Sequence, residues 1–259
     1  MLLTLGKADE GLAMARKTLI QSGNGGRNVR LRLAYADALF GLKRKDDALS
    51  MLQGNDEALV AARARIAEGK RLDMALDTPA AGFAETLVAL AIDLGRDENK
   101  ALPIALTQVA RQANPGNSEA AILLALLLDG DGRPDDALAV LRTVPAGDLL
   151  VGEALDVETR ILSDRKDYGA ALSRAKLATE ASASTPQDFS RLANVLGDME
   201  RHSEADAAYG EAMSRTVASG DRPSRTHHLL RAASLEQADR WYDAKAELDT
   251  AMKIEPDNA

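Results

Sequence analysis

Residues 186–212, PQDFSRLANVLGDMERHSEADAAYGEA, read as two helices joined by a turn. Phe189, Leu192, Ala193 and Leu196 recur at steps of three and four, which puts them on one helical face. The stretch from Gly197 to His202 breaks that face. Ala205, Tyr209 and Ala212 then mark a second one, with Ala208 beside it. Two helices of about a dozen residues with a short connection fold back on each other as an antiparallel hairpin.

The same reading recurs along the chain. Units start at Ala84, Ser118, Gly152 and Pro186, each step being 34 residues (118−84, 152−118, 186−152). A further unit starts at Arg225 after five extra residues, and an earlier one at Val29. The eleventh residue of all six is leucine: Leu39, Leu94, Leu128, Leu162, Leu196 and Leu235. The eighth is small: Ala36, Ala91, Ala125, Ala193 and Ala232, with Thr159 as the variant. The twentieth is Ala48, Ala137, Ala171, Ala205 and Ala244, with Pro103 in the odd unit. Alanine at a helix crossing lets two backbones approach to the short end of the roughly 8–10 Å range. A fixed period of this length marks a solenoid, whose units bury their apolar faces on their neighbours.

The pattern resembles the tetratricopeptide repeat family: a 34-residue helix-turn-helix unit, alternating Leu and small residues in the first helix, small residues twice in the second, and a closing proline at Pro115 and Pro256. The family's usual early Trp is absent from every unit. The resemblance implies an all-α, right-handed superhelix of about six to seven hairpins, read here as one solenoid over 1–259. Its parts are a partial repeat at 1–28, a repeat at 29–55, a degenerate repeat at 56–83, and repeats at 84–117, 118–151, 152–185, 186–224 and 225–259. Within the degenerate part, 56–70 reads as a helix and 71–83 as irregular. Residues 8–19 read as a second helix lacking its first, so the sequence is expected to be a piece of a longer array. Pro103 is expected to delay or kink its helix.

Composition excludes several classes. The chain has 259 residues, 46% hydrophobic, 3% aromatic and 28% charged, which suits ordered stacked helices rich in small side chains. It has no cysteine, so neither a disulfide nor a thiolate metal site can form; this fits a cytoplasmic default and equally a periplasm. A net charge of −8 argues against binding nucleic acid through its phosphates. The longest unbroken apolar run, 120–128, is nine residues, against the roughly 20 a membrane span needs. Richness in Ala, Leu, Asp and Arg points to a bacterial source.

No motif carries chemistry. Residues 129–135, DGDGRPD, open like a calcium loop, but Arg133, Pro134 and Val140 stand where ligands and the turn glycine are needed. Gly23, Gly25 and Gly26 are followed by no Gly-Lys-Ser/Thr. His227 and His228 are adjacent and point about 100° apart on a helix, which disfavours one shared metal. No nucleophile elbow or triad pattern is present. The reading is of a non-enzymatic protein with no cofactor or metal.

The family resemblance implies that first helices line a concave groove, in which a partner protein or peptide would lie. Transferred by position, the groove residues are Arg30, Leu33, Asp37 and Phe40; Val88, Ile92 and Arg96; Glu119, Ile122 and Leu126; Asp156 and Arg160; Ser190 and Asn194, with Leu229, Ala233 and Glu236 beyond. Ile92, Ile122 and Leu126 are expected to offer apolar contacts. The clamp by which some members hold a terminal carboxylate is not matched: Asn194 fits, but Ser190, Thr226 and Leu230 stand at positions that need basic residues. The expected function is an interaction scaffold or adaptor. The alternatives are a non-catalytic part of a larger enzyme, or a protein that self-assembles as a homo-oligomer through its terminal repeats.

Overall fold

A computed structural model describes residues 9–11, 13, 14, 17, 26–54, 56–74, 78–96, 99–181 and 184–254. Every regular element among them is an α-helix: α1 (Gly26–Gly41), α2 (Lys45–Met51), α3 (Glu57–Ala67), α4 (Pro79–Leu94), α5 (Ala101–Ala113), α6 (Ser118–Gly130), α7 (Pro134–Leu141), α8 (Val151–Asp164), α9 (Tyr168–Glu180), α10 (Pro186–Asp198), α11 (His202–Ala218), α12 (Arg225–Gln237) and α13 (Trp241–Ile254). The chain divides into two compact units, Met1–Ala154 and Leu155–Ala259.

In the first unit, α1 pairs with α2, α4 with α5 and α6 with α7, while α5 also packs on α6. Helix α3 packs on both α1 and α2. In the second unit, α10 pairs with α11 and α12 with α13; α9 packs on α10 and α11 on α12. The second helix of a hairpin thus lies on the first helix of the next, the arrangement the 34-residue period calls for.

The small-residue columns are the contact surface. Ala36, Ala91, Ala125 and Ala193 have no exposed area, and neither do Ala48, Ala137, Ala171 and Ala205. Around Ala84 and Ala110 in the first unit, Leu87, Val88 and Ala120 close a core against which Ile92, Leu106, Ala113 and Leu123 pack. In the second, Ala193, Leu196, Ala205, Ala208 and Tyr209 do the same, joined by Leu172 and Leu192. Five of the six column leucines are buried; Leu94, the last residue of α4, is only partly so.

Five of the hairpins turn the same way. The fifteenth residue of five units, Lys43, Gly132, Lys166, Glu200 and Asp239, has a left-handed backbone, with φ of 62°, 77°, 61°, 58° and 58°. The amide of the following residue then reaches back to the column leucine: Arg44 N donates to Leu39 O, Arg133 to Leu128, Asp167 to Leu162, Arg201 to Leu196 and Arg240 to Leu235, at 2.8–3.0 Å. A left-handed residue with a six-to-one hydrogen bond closes a helix by satisfying its last carbonyls. The column leucine therefore has two roles, apolar contact by its side chain and helix termination by its carbonyl.

Helix starts are capped by side chains. Thr185 and Ser224 form capping boxes with Asp188 and His227, and Asn117, Thr78 and Asp56 accept hydrogen bonds from first-turn amides. Each such cap is worth about 1 kcal/mol.

Two expectations change and one holds. Helix α4 begins at Pro79, five residues ahead of Ala84, because Thr78 caps it and proline at the first helical position needs no hydrogen-bonded N–H. Residues 79–83, read as irregular, are its first turn. Pro103 delays its helix by one residue, as expected: it is the third residue of α5, which starts at Ala101, where no intrahelical acceptor is waiting for its missing N–H. The other second helices start three residues before their alanine, and α5 starts two before Pro103. Of the expected helix at 8–19, residues 9–11, 13, 14 and 17 are helical and the rest lie outside the described residues, as do Asn55 and the closing turn with Pro256.

Candidate protein-interaction surface

The residues assigned to the groove divide into three groups. Leu33, Val88, Ile122 and Ser190 are buried, so they do not present their side chains as freely as the positional transfer assumed. The 3.6-residue period puts them toward packed neighbours: Val88 belongs to the first-unit core, and the Ser190 hydroxyl turns back to the Pro186 carbonyl at 3.4 Å. Phe40 and Ile92 are half-buried, Ile92 against the same core.

A second group is charged and occupied by internal partners. Arg30, in α1, lies 2.5 Å from Glu85 of α4 and 2.9 Å from Glu119 of α6, and the Asn117 side chain donates to Glu85 at 2.9 Å. One buried guanidinium thus ties three first helices together. Asp37, buried on α1, accepts from Arg71 through both oxygens, each at 2.8 Å, and from the Leu72 amide at 2.9 Å. Burial pushes its carboxyl up, but the Arg71 and backbone hydrogen bonds outweigh burial and hold it below the usual carboxylate range. Asp37 therefore fastens the segment after α3 onto α1.

In the second unit the equivalent centre is Arg191. Its side chain, 1% exposed, donates to Asp156 at 2.7 Å and to Asp188 at 2.5 Å. Burial raises the Asp156 carboxyl, and the Arg191 charge only partly offsets this. Glu158 is held by Arg174 at 2.7 Å.

The third group is open. Leu126 is 40% exposed on α6, and Arg96 is exposed just past α4. Arg160 is exposed and 3.4 Å from Asp164. Asn194 is exposed and accepts the Tyr209 hydroxyl at 2.5 Å; burial, with the Asp198 charge adding, pushes that phenol up to about 12. Asn194 is thereby oriented from behind.

The first unit also holds a crevice of about 230 Å³, lined by Arg30, Arg65, Leu72, Asp73, Met74, Asn114, Gly116, Pro145, Gly147, Asp148, Leu149 and Leu150. Its walls are already cross-linked: Asp148 accepts from the Ser118 hydroxyl at 2.7 Å and the Leu150 amide at 2.8 Å, and Arg65 donates to the Gly147 carbonyl. Among the described residues no helix is long and apolar enough to cross a membrane, and no three acidic or histidine side chains are placed to hold a metal ion.

Glu85, Asn117, Arg71 and Arg191 were missed from the sequence, although their pairings carry a faint signal. Asp37 and Arg71 are 34 residues apart, one repeat, and Asp156 and Arg191 are 35 apart, one residue more than a repeat.

Sequential antiparallel hairpins with alanine crossings and a 34-residue period make this a tetratricopeptide-repeat fold, all-α throughout the described residues. A solved structure shares this fold. The chain is similar to MamA 41-end from Desulfovibrio magneticus RS-1, with 13% identity over 70% of this chain and 98% of that one and a TM-score of 0.50. It is also similar to a tetratricopeptide repeat protein from Parabacteroides merdae ATCC 43184, with 13% identity, 99% and 90% coverage and a TM-score of 0.49. At such identities the likeness concerns the fold alone. No family model and no curated protein matches the sequence.

Proposed function

We propose that this chain is a non-catalytic interaction scaffold that holds a protein or peptide against the exposed residues of its first helices. The observation that carries this reading is Leu126. It is a large apolar side chain left 40% open on α6, a helix whose Ile122, Ala125, Leu127 and Leu128 are all buried. Arg96 supplies a cation in the same unit. The buried ion pairs keep the helices preorganised, which lowers the ordering cost of binding. The partner is expected to be an extended or helical segment with one apolar anchor.

Peptide display on the immobilised 259-residue chain tests this. Selected peptides should bind the parent chain and lose about ten-fold or more in affinity on Leu126→Glu or Arg96→Glu, with the melting temperature unchanged. Peptides that bind the parent and both variants equally would remove Leu126 and Arg96 from the site and end this reading.

A further inference from the structure

Four second helices open in one way. Arg44, Arg133, Arg201 and Arg240 each pair with an acid three residues on, Asp47, Asp136, Glu204 and Asp243, at 2.6–2.7 Å. Helix α5 departs from this, with Asn99 and Leu102 at those two places of its unit. The exposed residues of α5 are Ala101, Leu102, Ala105, Gln108, Val109 and Gln112, and none is charged. Its one charged residue, Arg111, is half-buried and donates to the Thr143 hydroxyl at 3.0 Å. Leu102 is 55% exposed and Val109 44%, two helical turns apart on one face. In a chain that is 28% charged, an open helix face with large apolar residues and no charge marks a contact surface.

The stripe is complementary to itself. Asn99, Leu102, Ala105, Val109 and Gln112 read amide, apolar, small, apolar, amide. Leu102 and Val109 are equidistant from a point between Ala105 and Leu106, and so are Asn99 and Gln112. We propose that this face of α5 is a contact between two copies of the chain, paired antiparallel about a twofold axis through that point. Each Leu102 then meets the other copy's Val109, and each Asn99 meets Gln112. Ala105 stands at the crossing, where a small side chain lets two backbones approach. Self-matching of one patch is what a twofold contact requires. It also accounts for the missing acid: a carboxylate in place of Leu102 would be desolvated against Val109 with no cation opposite. The helix face is about 20 Å long, less than a standard interface needs, so the pairing is weak and concentration-dependent. It lies within the first unit, away from the terminal repeats, and on a different helix from Leu126.

The chain has no cysteine, so a single introduced thiol reports its distance from its own copy. Ala105→Cys puts the two thiols beside the axis, within disulfide reach. Gln112→Cys, exposed on the same face, puts them about 20 Å apart. Mild oxidation of the 259-residue chain at high micromolar concentration should cross-link Ala105→Cys at least about ten-fold faster than Gln112→Cys. Sedimentation of the parent chain should show dimer rising with concentration. Leu102→Glu should weaken dimerisation about ten-fold or more with the melting temperature unchanged. Adding Val109→Lys to it should restore pairing, because each glutamate then faces a lysine. The proposal is overturned by equal cross-linking at the two sites, by dimerisation that Leu102→Glu leaves unchanged, or by a double variant as weak as the single one. A parent chain that stays monomeric at every concentration also overturns it, and leaves the stripe to another protein.

Discussion

Arg240 stands one repeat length after Asp206, and its Nη1 lies 2.5 Å from the Asp206 Oδ2. The acid sits in α11 with its carboxylate 7% exposed, and the arginine sits in the turn that opens α13. The other Asp206 oxygen takes Nε of Arg231 at 2.8 Å, so one carboxylate joins three consecutive pieces of the second unit. Asp37 with Arg71, and Asp156 with Arg191, repeat the theme at almost the same separation. Neighbouring repeats are fastened by charge as well as by apolar contact.

Removing that carboxylate should be costly. Asp206→Ala leaves two guanidinium groups facing an emptied site, and the expected loss is about 2 kcal/mol, discounted from a fully buried pair because both arginines reach water. Urea denaturation measures it. A change below about 0.5 kcal/mol would mean that the pairs are ornamental surface contacts.

Asp37 should make the first unit acid-sensitive. Its carboxyl titrates lower in the folded chain than in the unfolded one, since hydrogen bonds from Arg71 and Leu72 outweigh burial. Its contribution is complete above the unfolded carboxyl value of about 3.9 and disappears as pH falls through the lower folded value. Asp37→Asn should therefore cost about 1–2 kcal/mol at pH 7 and progressively less below pH ~4. If variant and parent differ by the same amount at pH 3 and pH 7, ionisation of Asp37 is not involved.

The left-handed turn position gives opposite predictions at two sites. Gly132→Ala adds a Cβ to a residue with φ of 77° and should cost about 1 kcal/mol. Glu200→Gly relieves the same strain and should be neutral or stabilising by up to about 0.5 kcal/mol, because glycine's greater unfolded-state freedom offsets part of the relief. Thermal melting distinguishes these outcomes. Equal effects of like sign would show that backbone handedness does not govern the turn.

Adjacent residues on α6 should behave differently. Ala125 has no exposed area at a helix crossing, so Ala125→Leu should overpack and cost about 1–3 kcal/mol. Leu126→Glu changes an open side chain and should leave stability within about 0.5 kcal/mol. Comparable destabilisation by both would place Leu126 in the core and withdraw it as a contact residue.

The hairpin character, the period and the alanine columns could be read directly from residues, because each rests on local periodicity. A helix must turn its apolar stripe inward, and a small residue must stand where backbones cross. That is enough to place Ala36, Ala125, Ala193 and Ala205 in contacts, where all four are fully buried. The open residues Leu126, Arg96, Arg160 and Asn194 were also within reach of positional reasoning.

Other features became visible only in three dimensions. Arg30 and Asp37 were assigned outward by position, yet both are drawn into internal ion pairs by Glu85, Glu119 and Arg71, which lie tens of residues away and carry no local mark. The left-handed turn hid behind five positions holding lysine, glycine, glutamate and aspartate, since a backbone angle enforced by two docked helices need not select one side chain. Sequence periodicity determined which faces are apolar and how the helices pair. Long-range packing decided which charged groups are consumed inside the stack and which remain to meet a partner, because a carboxylate's fate depends on the cation that folding happens to bring within 3 Å.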